Sequence, residues 1–510
     1  MVDGNKSVEF GFLDADSFSQ AERMLHEVVS RGLHFKIRDR VYEAASYEEL
    51  FSRFVKTLPD AGEPLHSLLE DVYDGVVKHS TNYSSPMAMA FPDSGNSLAA
   101  MAGSLLSDLI NQNLINWVPC APAATVVEVA TINWLRQLVG YRSFGPDEMT
   151  LPSQAGGVVT SGGVASNTVA QLAARERSFP GSMLRGLDPG SGFVVVPQGI
   201  DHYSSRLAAG WLGIGEDNVR RCSTRDFKYD LAELEALLSH EAEAGRRPIQ
   251  IVAYAGDSRT MTCDDFPALR QIADKYGSWL HVDACHGSQL LFSQRLKGQV
   301  AGIDSADSVT FDPHKVLCIP YTLSMVVFKN PRDLEALKRP EDIITGEPHS
   351  FGQATPLFGS RPFASLKLYM VIRHLGTKRI GKMIEKRHSI ARELAEAIAA
   401  DTDFLLVNPD VHINSVAFMY WPERLRANPK ISAMNLAFCN DLNVRIQKSL
   451  FDSGEVWLHN FQLPDLHDVL GLGRSQMLRP LRFMSGNPLL RPEQIERMIE
   501  LVRLRGEAES

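Results

Sequence analysis

The chain has 510 residues, 44% hydrophobic and 22% charged, a globular balance with room for a core that needs no disulfide or metal staple. Its formal net charge of −9 disfavours nucleic acid or an acidic membrane surface as partner. The six cysteines form no C-x-x-C pair, the polar start lacks the order of a signal peptide, and no apolar run nears the ~20 residues of a membrane helix, so a reduced, cytoplasmic chain with no membrane span and no metal is expected.

At roughly 100–200 residues per domain the length suggests two or three units. Residues 1–115 read as an N-terminal helical segment, with helical apolar spacing over 21–33 and 47–55. Helical patterns dominate 97–138, with breaks expected at Pro119 and Pro122. A large domain is set at 116–375. Inside it, short β-rich runs at 193–196, 249–254, 279–282 and 324–328 alternate with helix-like segments, one of them opened by Asp265 as N-cap with Pro267 in its first turn. That alternation predicts an α/β fold on a mainly parallel sheet, with ligands at the carboxyl ends of the strands. A long helical stretch runs from 361 to about 400. A smaller C-terminal α+β domain, 376–510, carries a strand at 479–484 and a helix at 492–503.

Four features of the large domain can carry chemistry. In Thr160-Ser161-Gly162-Gly163-Val164-Ala165-Ser166-Asn167, small residues precede a helix over 168–175, a pattern that lets backbone amides approach an anion; a Gly-rich turn with a cap reads the same way. His202 follows a strand and can stack on a flat ring, although a lone histidine is often structural. Asp283 ends the run Trp279-Leu280-His281-Val282, where a carboxylate can keep a heterocyclic nitrogen protonated or simply cap a turn. Lys315, after Asp312-Pro313-His314, sits in an apolar neighbourhood where lysine is unusual. Desolvation is expected to lower its pKa and free an amine for imine formation, and His314 can donate to a phosphate or serve structurally. In this order the four supply a phosphate cradle, a ring stack, a pyridine-nitrogen partner and an imine-forming amine, which are the needs of pyridoxal phosphate.

With these motifs the chain resembles the group II pyridoxal-phosphate-dependent amino acid decarboxylases, members of the aspartate-aminotransferase-like fold type I, over about residues 60–505. Further markers are Asn111-Gln112-Asn113-Leu114-Ile115-Asn116-Trp117, Pro122-Ala123-Ala124-Thr125 with Glu128, Ser365-Leu366-Lys367-Leu368-Tyr369, and Leu481-Arg482-Phe483 with Gly486-Asn487-Pro488. The resemblance implies a seven-stranded, mainly parallel sheet in the large domain, an N-terminal segment that serves dimerisation, and a homodimer with shared active sites to which residues near 82–125 contribute. It makes Lys315 the internal aldimine lysine, Asp283 the ring-nitrogen partner and His202 the stacking, catalytic imidazole. It sets Gly162, Gly163, Val164 and His314 around the phosphate, Asp312 among the cofactor-binding residues and Cys285 below the ring, with Phe91, His349 and Arg482 toward the substrate. The implied reaction is decarboxylation of an L-amino acid through a quinonoid intermediate.

Several departures bear on the reaction. Val164 stands where a hydroxyl residue is common, Asp257 and Ser258 replace a Thr-Thr pair, and Asp312 stands where Asn is frequent. His286 stands where an aromatic residue is frequent, while His281-Val282-Asp283-Ala284-Cys285 and Gly359-Ser360-Arg361-Pro362 are similar to sphingosine-phosphate-lyase-type relatives. No tyrosine lies between Tyr321 and Tyr369, where the aromatic decarboxylases carry a proton-donating loop tyrosine; His349, Phe351 and Phe358 occupy that stretch. The segment Ser85-Pro86-Met87-Ala88-Met89-Ala90-Phe91-Pro92 replaces aromatic residues by Met and Ala and suggests a wider pocket. A carbon–carbon lyase, an oxygen-dependent decarboxylating deaminase and a non-catalytic binder of the cofactor therefore stand as alternatives.

Overall fold

The fold is taken from a computed structural model, which describes residues 13–118, 120–145, 148, 152–339, 349, 357, 359–426 and 432–510. Seven strands form the large sheet: β1 (Gly157–Thr160), β2 (Gly192–Pro197), β3 (Val219–Cys222), β4 (Arg247–Tyr254), β5 (Trp279–Asp283), β6 (Ser308–Phe311) and β7 (Ser324–Phe328). Their order is β1-β7-β6-β5-β4-β2-β3, with β7 antiparallel to both its neighbours and the remaining pairs parallel. The fold is α/β on a mainly parallel sheet, as the alternating pattern predicts, and the sheet has the seven strands that the resemblance implies.

Strands β2, β5, β6 and β7 are buried along their whole length. That explains why 193–196 is a continuous apolar run and not an alternating one: both faces of the sheet are covered. Phe193 and Val195 enter one core, while Val194 and Val196 enter the core on the opposite face. The helix Phe266–Tyr276 opens as expected, with the Asp265 carboxylate accepting from the Ala268 amide and Pro267 in the first turn.

A second, antiparallel sheet joins Phe404–Leu406, Ser415–Tyr420, Leu481–Met484 and His459–Asn460, packed against the helices Ala433–Asp452 and Pro492–Glu509. Its strand at 481 starts two residues later than the apolar pattern suggests, because Pro480 has no amide to give to a ladder.

Three local readings need correction. Pro122 opens the helix Pro122–Val139 instead of interrupting one, since its missing amide costs nothing at a first position. Pro119 lies outside the described residues, and the preceding helix Leu98–Ile110 ends at left-handed Asn111. The long helix begins at Ser365 and bends at Gly376, whose φ of 66° and ψ of 161° interrupt the helical path. Finally, the Met- and Ala-rich segment does not widen a pocket. Met89 is 1% exposed in the core of the small-sheet unit, where its amide bonds the Trp457 carbonyl and its carbonyl accepts from Met484. Among the described helices, none is long and apolar enough to cross a membrane.

Candidate active site

Parallel register brings the chemistry together. Tyr254 of β4 pairs with Asp283 of β5, and Asp283 with Thr310 of β6, so three strands end level with one another. His202 follows β2, Gly162 follows β1 and Lys315 follows β6 at that same end. There they surround a cavity of about 310 Å³, lined also by Gly163, Val164, Cys285, Asp312 and His314. Phe91 and Arg482 reach it from the N-terminal segment and the small sheet. Exposed His349 is absent from its walls; its ring packs 4.6 Å from that of Trp117. Phe351 and Phe358 lie outside the described residues.

Asp283 is 7% exposed, and both its oxygens are occupied: Oδ2 accepts from Asn167 Nδ2 at 2.8 Å and Oδ1 from the Cys285 amide at 3.1 Å. Burial works against its charge, but the fields of His202 and Lys315 and these donors hold its carboxyl below the usual range. It is therefore a carboxylate at neutral pH.

Asn167 comes from the second turn of the helix Gly163–Ser178, four residues past Gly163, which puts both on one helix face. Its amide joins a relay whose donors can be assigned in order. Trp279 Nε1 can only donate, so Ser308 Oγ accepts from it at 2.8 Å and gives its own hydrogen to His281 Nδ1. Burial lowers the pKa of His281 to about 4, leaving it neutral, so its one N–H is on Nε2 and donates to Asn167 Oδ1 at 3.1 Å. The Asn167 NH₂ group must then face Asp283 and Ser204 Oγ, and Ser204 passes its hydrogen to His202 Nδ1 at 2.8 Å. His202 is thereby fixed with its proton on Nε2, and burial keeps it below its ordinary pKa.

Lys315 corrects an expectation. Its amine is not depressed: burial opposes the ammonium, but the Asp312 carboxylate, 2.7 Å from Nζ, outweighs that and raises the pKa. Asp312 is itself fully buried, with Oδ1 accepting from Ser324 Oγ. Asp312→Asn is therefore expected to lower the pH midpoint for capture of pyridoxal phosphate by Lys315 by at least about one unit, because a paired carboxylate is worth ~1–3 units. Visible absorbance of the apoprotein mixed with the cofactor across pH measures this; an unmoved midpoint would remove Asp312 from the control of Lys315.

The remaining walls are consistent with a flat, phosphorylated ring. A Cβ on residue 163 would stand 2.8 Å from Cys285 Sγ and 2.9 Å from Asp312 Oδ2, whereas Gly162 faces open space, so this turn stays a bare-backbone approach to a helix N-terminus. Val164 contributes backbone to that first turn, and its apolar side chain offers nothing to an anion. Cys285 is buried and its thiol is pushed well up by burial, with Asp283 and Asp312 adding to the effect, so it packs as a neutral group. His314 turns Nδ1 to the Leu323 carbonyl at 2.7 Å, leaving Nε2 on the Asp93 and Asp312 side at 4.0 and 3.8 Å. Asp257 caps its own turn, accepting from the amides of Arg259, Thr260 and Thr262. Arg482 donates to the carbonyls of Ser258 and Ala90, and burial brings its pKa down to about 10. Its guanidinium is thus tied to backbone on the cavity wall.

Sequence reasoning did not single out Asp93, Asn167, Tyr254 or Tyr321, all of which line the same cavity. For Asn167 the four-residue helical spacing from Gly163 was an available signal. Asp93 and Tyr321 had none beyond nearness to Phe91 and Lys315 in the chain. An ionised, doubly hydrogen-bonded carboxylate, an amine, an imidazole and a glycine-lined helix start fit pyridoxal phosphate: Asp283 for the ring nitrogen, His202 for the ring face, the 162–164 turn and His314 for the phosphate, and Lys315 for the aldehyde carbon.

Comparison with known proteins points to the same cofactor. The pyridoxal-dependent decarboxylase conserved domain matches residues 48–421. L-2,4-diaminobutyrate decarboxylase of Acinetobacter baumannii is 27% identical over 87% of this chain and 86% of its own length. Aromatic-L-amino-acid decarboxylase of Catharanthus roseus is 26% identical over 97% of this chain and 95% of its own. Among solved structures, mouse CSAD in its apo form superposes with a TM-score of 0.85 at 23% identity, covering 96% of this chain and 99% of that one.

Proposed function

The chain belongs to the pyridoxal-dependent decarboxylases, and from that premise we propose that it releases carbon dioxide from an L-amino acid in the cavity where Lys315, Asp283 and His202 meet. The observation that carries this reading is the ionised, doubly hydrogen-bonded Asp283 sharing one cavity with the Lys315 amine.

Pyridoxal phosphate, when bound, supplies an electron sink for the pair left on the α-carbon as carbon dioxide departs. The chain's own residues set the conditions. Asp283 stabilises a proton on the ring nitrogen, and Asn167 keeps the Asp283 carboxylate turned and ionised. His202 covers the ring face with its proton on Nε2. The amides of 162–164 and His314 hold the phosphate, and Asp312 governs when the Lys315 amine loses its proton.

Exposed apolar side chains on the helices Leu98–Ile110 and Pro122–Val139, among them Leu105, Leu106, Leu109 and Val126, support a homodimer as the working form. The absence of a tyrosine between Tyr321 and Tyr369 favours oxygen-dependent decarboxylation to an aldehyde as the second reading.

The test is the purified, cofactor-loaded protein against a panel of carboxyl-labelled L-amino acids, with carbon dioxide, amine, aldehyde and oxygen consumption followed together. Amine and carbon dioxide in equal amounts are expected. Aldehyde with oxygen uptake would replace the first reading by the second, and aldehyde without carbon dioxide would point to a lyase.

A further inference from the structure

Among the described residues, Asp93 is the one acid in the cavity wall left without a role by the foregoing reading. It is 6% exposed, shares the wall with Phe91, Tyr321 and Lys315, and has the Tyr321 phenol as its hydrogen-bonding neighbour. Its Oδ1 has no hydrogen-bond partner among the described residues, and His314 Nε2 stands 4.0 Å from it. The cations that could satisfy it are committed elsewhere. Lys315 is held by Asp312 at 2.7 Å, and both terminal nitrogens of Arg482 donate to carbonyls. Burial raises its pKa against the fields of Lys315 and His314, so its ionised form is costly there unless something brings a cation into contact with it.

We propose that Asp93 determines specificity, by pairing with the side-chain ammonium of a basic L-amino acid; this rests on the cavity being the amino-acid site. Phe91 and Tyr321 line the same wall beside it, apolar surface against which the stem of such a side chain can pack. An acidic side chain in that position would meet like charge. A neutral one would leave Oδ1 as it is, desolvated and unpaired. The cavity of about 310 Å³ must also take the cofactor, which favours a compact ammonium over a guanidinium.

The experiment titrates the cofactor-loaded protein with L-2,4-diaminobutyrate, L-ornithine and L-lysine, with the neutral isosteres L-norvaline and L-norleucine, and with L-glutamate and L-tyrosine. Binding is read from visible absorbance, and carbon dioxide release is measured in parallel. At least one basic amino acid is expected to bind at least about tenfold more tightly than its neutral isostere, with a larger margin in kcat/KM. In Asp93→Asn that ratio is expected to collapse towards one, and Asp93→Glu to restore part of it. Preference of the unaltered protein for a neutral or acidic amino acid overturns the proposal, with no reliance on a variant folding. So does an unchanged ratio in Asp93→Asn, or loss of the cofactor from Asp93→Asn with a flat ratio in the parent, which would make Asp93 a partner of His314. Carbon dioxide from non-basic amino acids alone overturns this proposal and leaves the decarboxylase reading standing. Selective binding of basic amino acids without carbon dioxide does the reverse.

Discussion

Lys315→Ala is expected to lower carbon dioxide release by roughly 10²–10⁴-fold or more, the range for removing a group that both attacks and moves protons. Lys315 follows the carboxyl end of β6 on a short helical turn, Pro313–Val316, whose geometry puts its amine 2.7 Å from Asp312. Among the described residues no other lysine lines the cavity, so none of them offers a neighbouring amine to stand in. The cofactor is expected to stay, because the 162–164 turn, His202, Asp283 and His314 do not depend on Lys315. Borohydride reduction followed by peptide mapping should fix the cofactor to the Lys315 peptide in the parent protein and leave the alanine variant unlabelled. A variant that retained more than about a tenth of the parent rate would remove Lys315 from the reaction, since even one general acid or base contributes at least about 10²-fold. Loss of labelling with full activity would separate attachment from chemistry.

How much of this site was legible in the chain depends on how local each signal is. Gly162 and Gly163 before a helix, His202 after β2, Asp283 at the end of β5 and Lys315 after β6 each announce themselves within a few residues, because strand ends and helix starts are local events. Parallel register then does the convergence: Tyr254, Asp283 and Thr310 end level because neighbouring strands are paired so. Asn167 stands at the tail of the Gly-rich turn, yet its contacts are 37, 114, 116 and 143 residues away, and no local pattern announces such partners. The direction of the Lys315 shift was misread for a different reason. An apolar neighbourhood argues for a depressed amine, but Asp312 lies three residues earlier, at the spacing where side chains meet on a helix. That pair was visible, and it outweighs burial. The Met-rich segment failed as a pocket signal because Met89 answers to the small sheet's core and not to the cavity. His349 sits against Trp117, a pairing the chain order does not suggest.

Asp283→Asn is expected to reduce kcat/KM by about 10²–10³-fold, the magnitude typical of deleting one preorganised electrostatic contact at a reacting centre. The amide is nearly isosteric and can still accept from the Cys285 N–H, so fold and cavity shape should persist, checked by circular dichroism and by cofactor absorbance. What it cannot do is offset positive charge on a ring nitrogen. The pH sign follows from the direction of the shift: a carboxyl held below the usual range is already ionised through the neutral region, so this group imposes no limb there and raising the pH cannot rescue the variant. Asn167→Ala separates position from charge. It leaves the carboxylate with the Cys285 amide alone and cuts the relay from Trp279 to His202, so a smaller loss, about tenfold, is expected, with part of it reporting His202 rather than Asp283. If Asn167→Ala were as damaging as Asp283→Asn, the charge at 283 would have no importance beyond the network that holds it. If Asp283→Asn were nearly silent, the cavity would stabilise its cofactor's charge by some other group, and the assignment of Asp283 to the ring nitrogen would have to be abandoned.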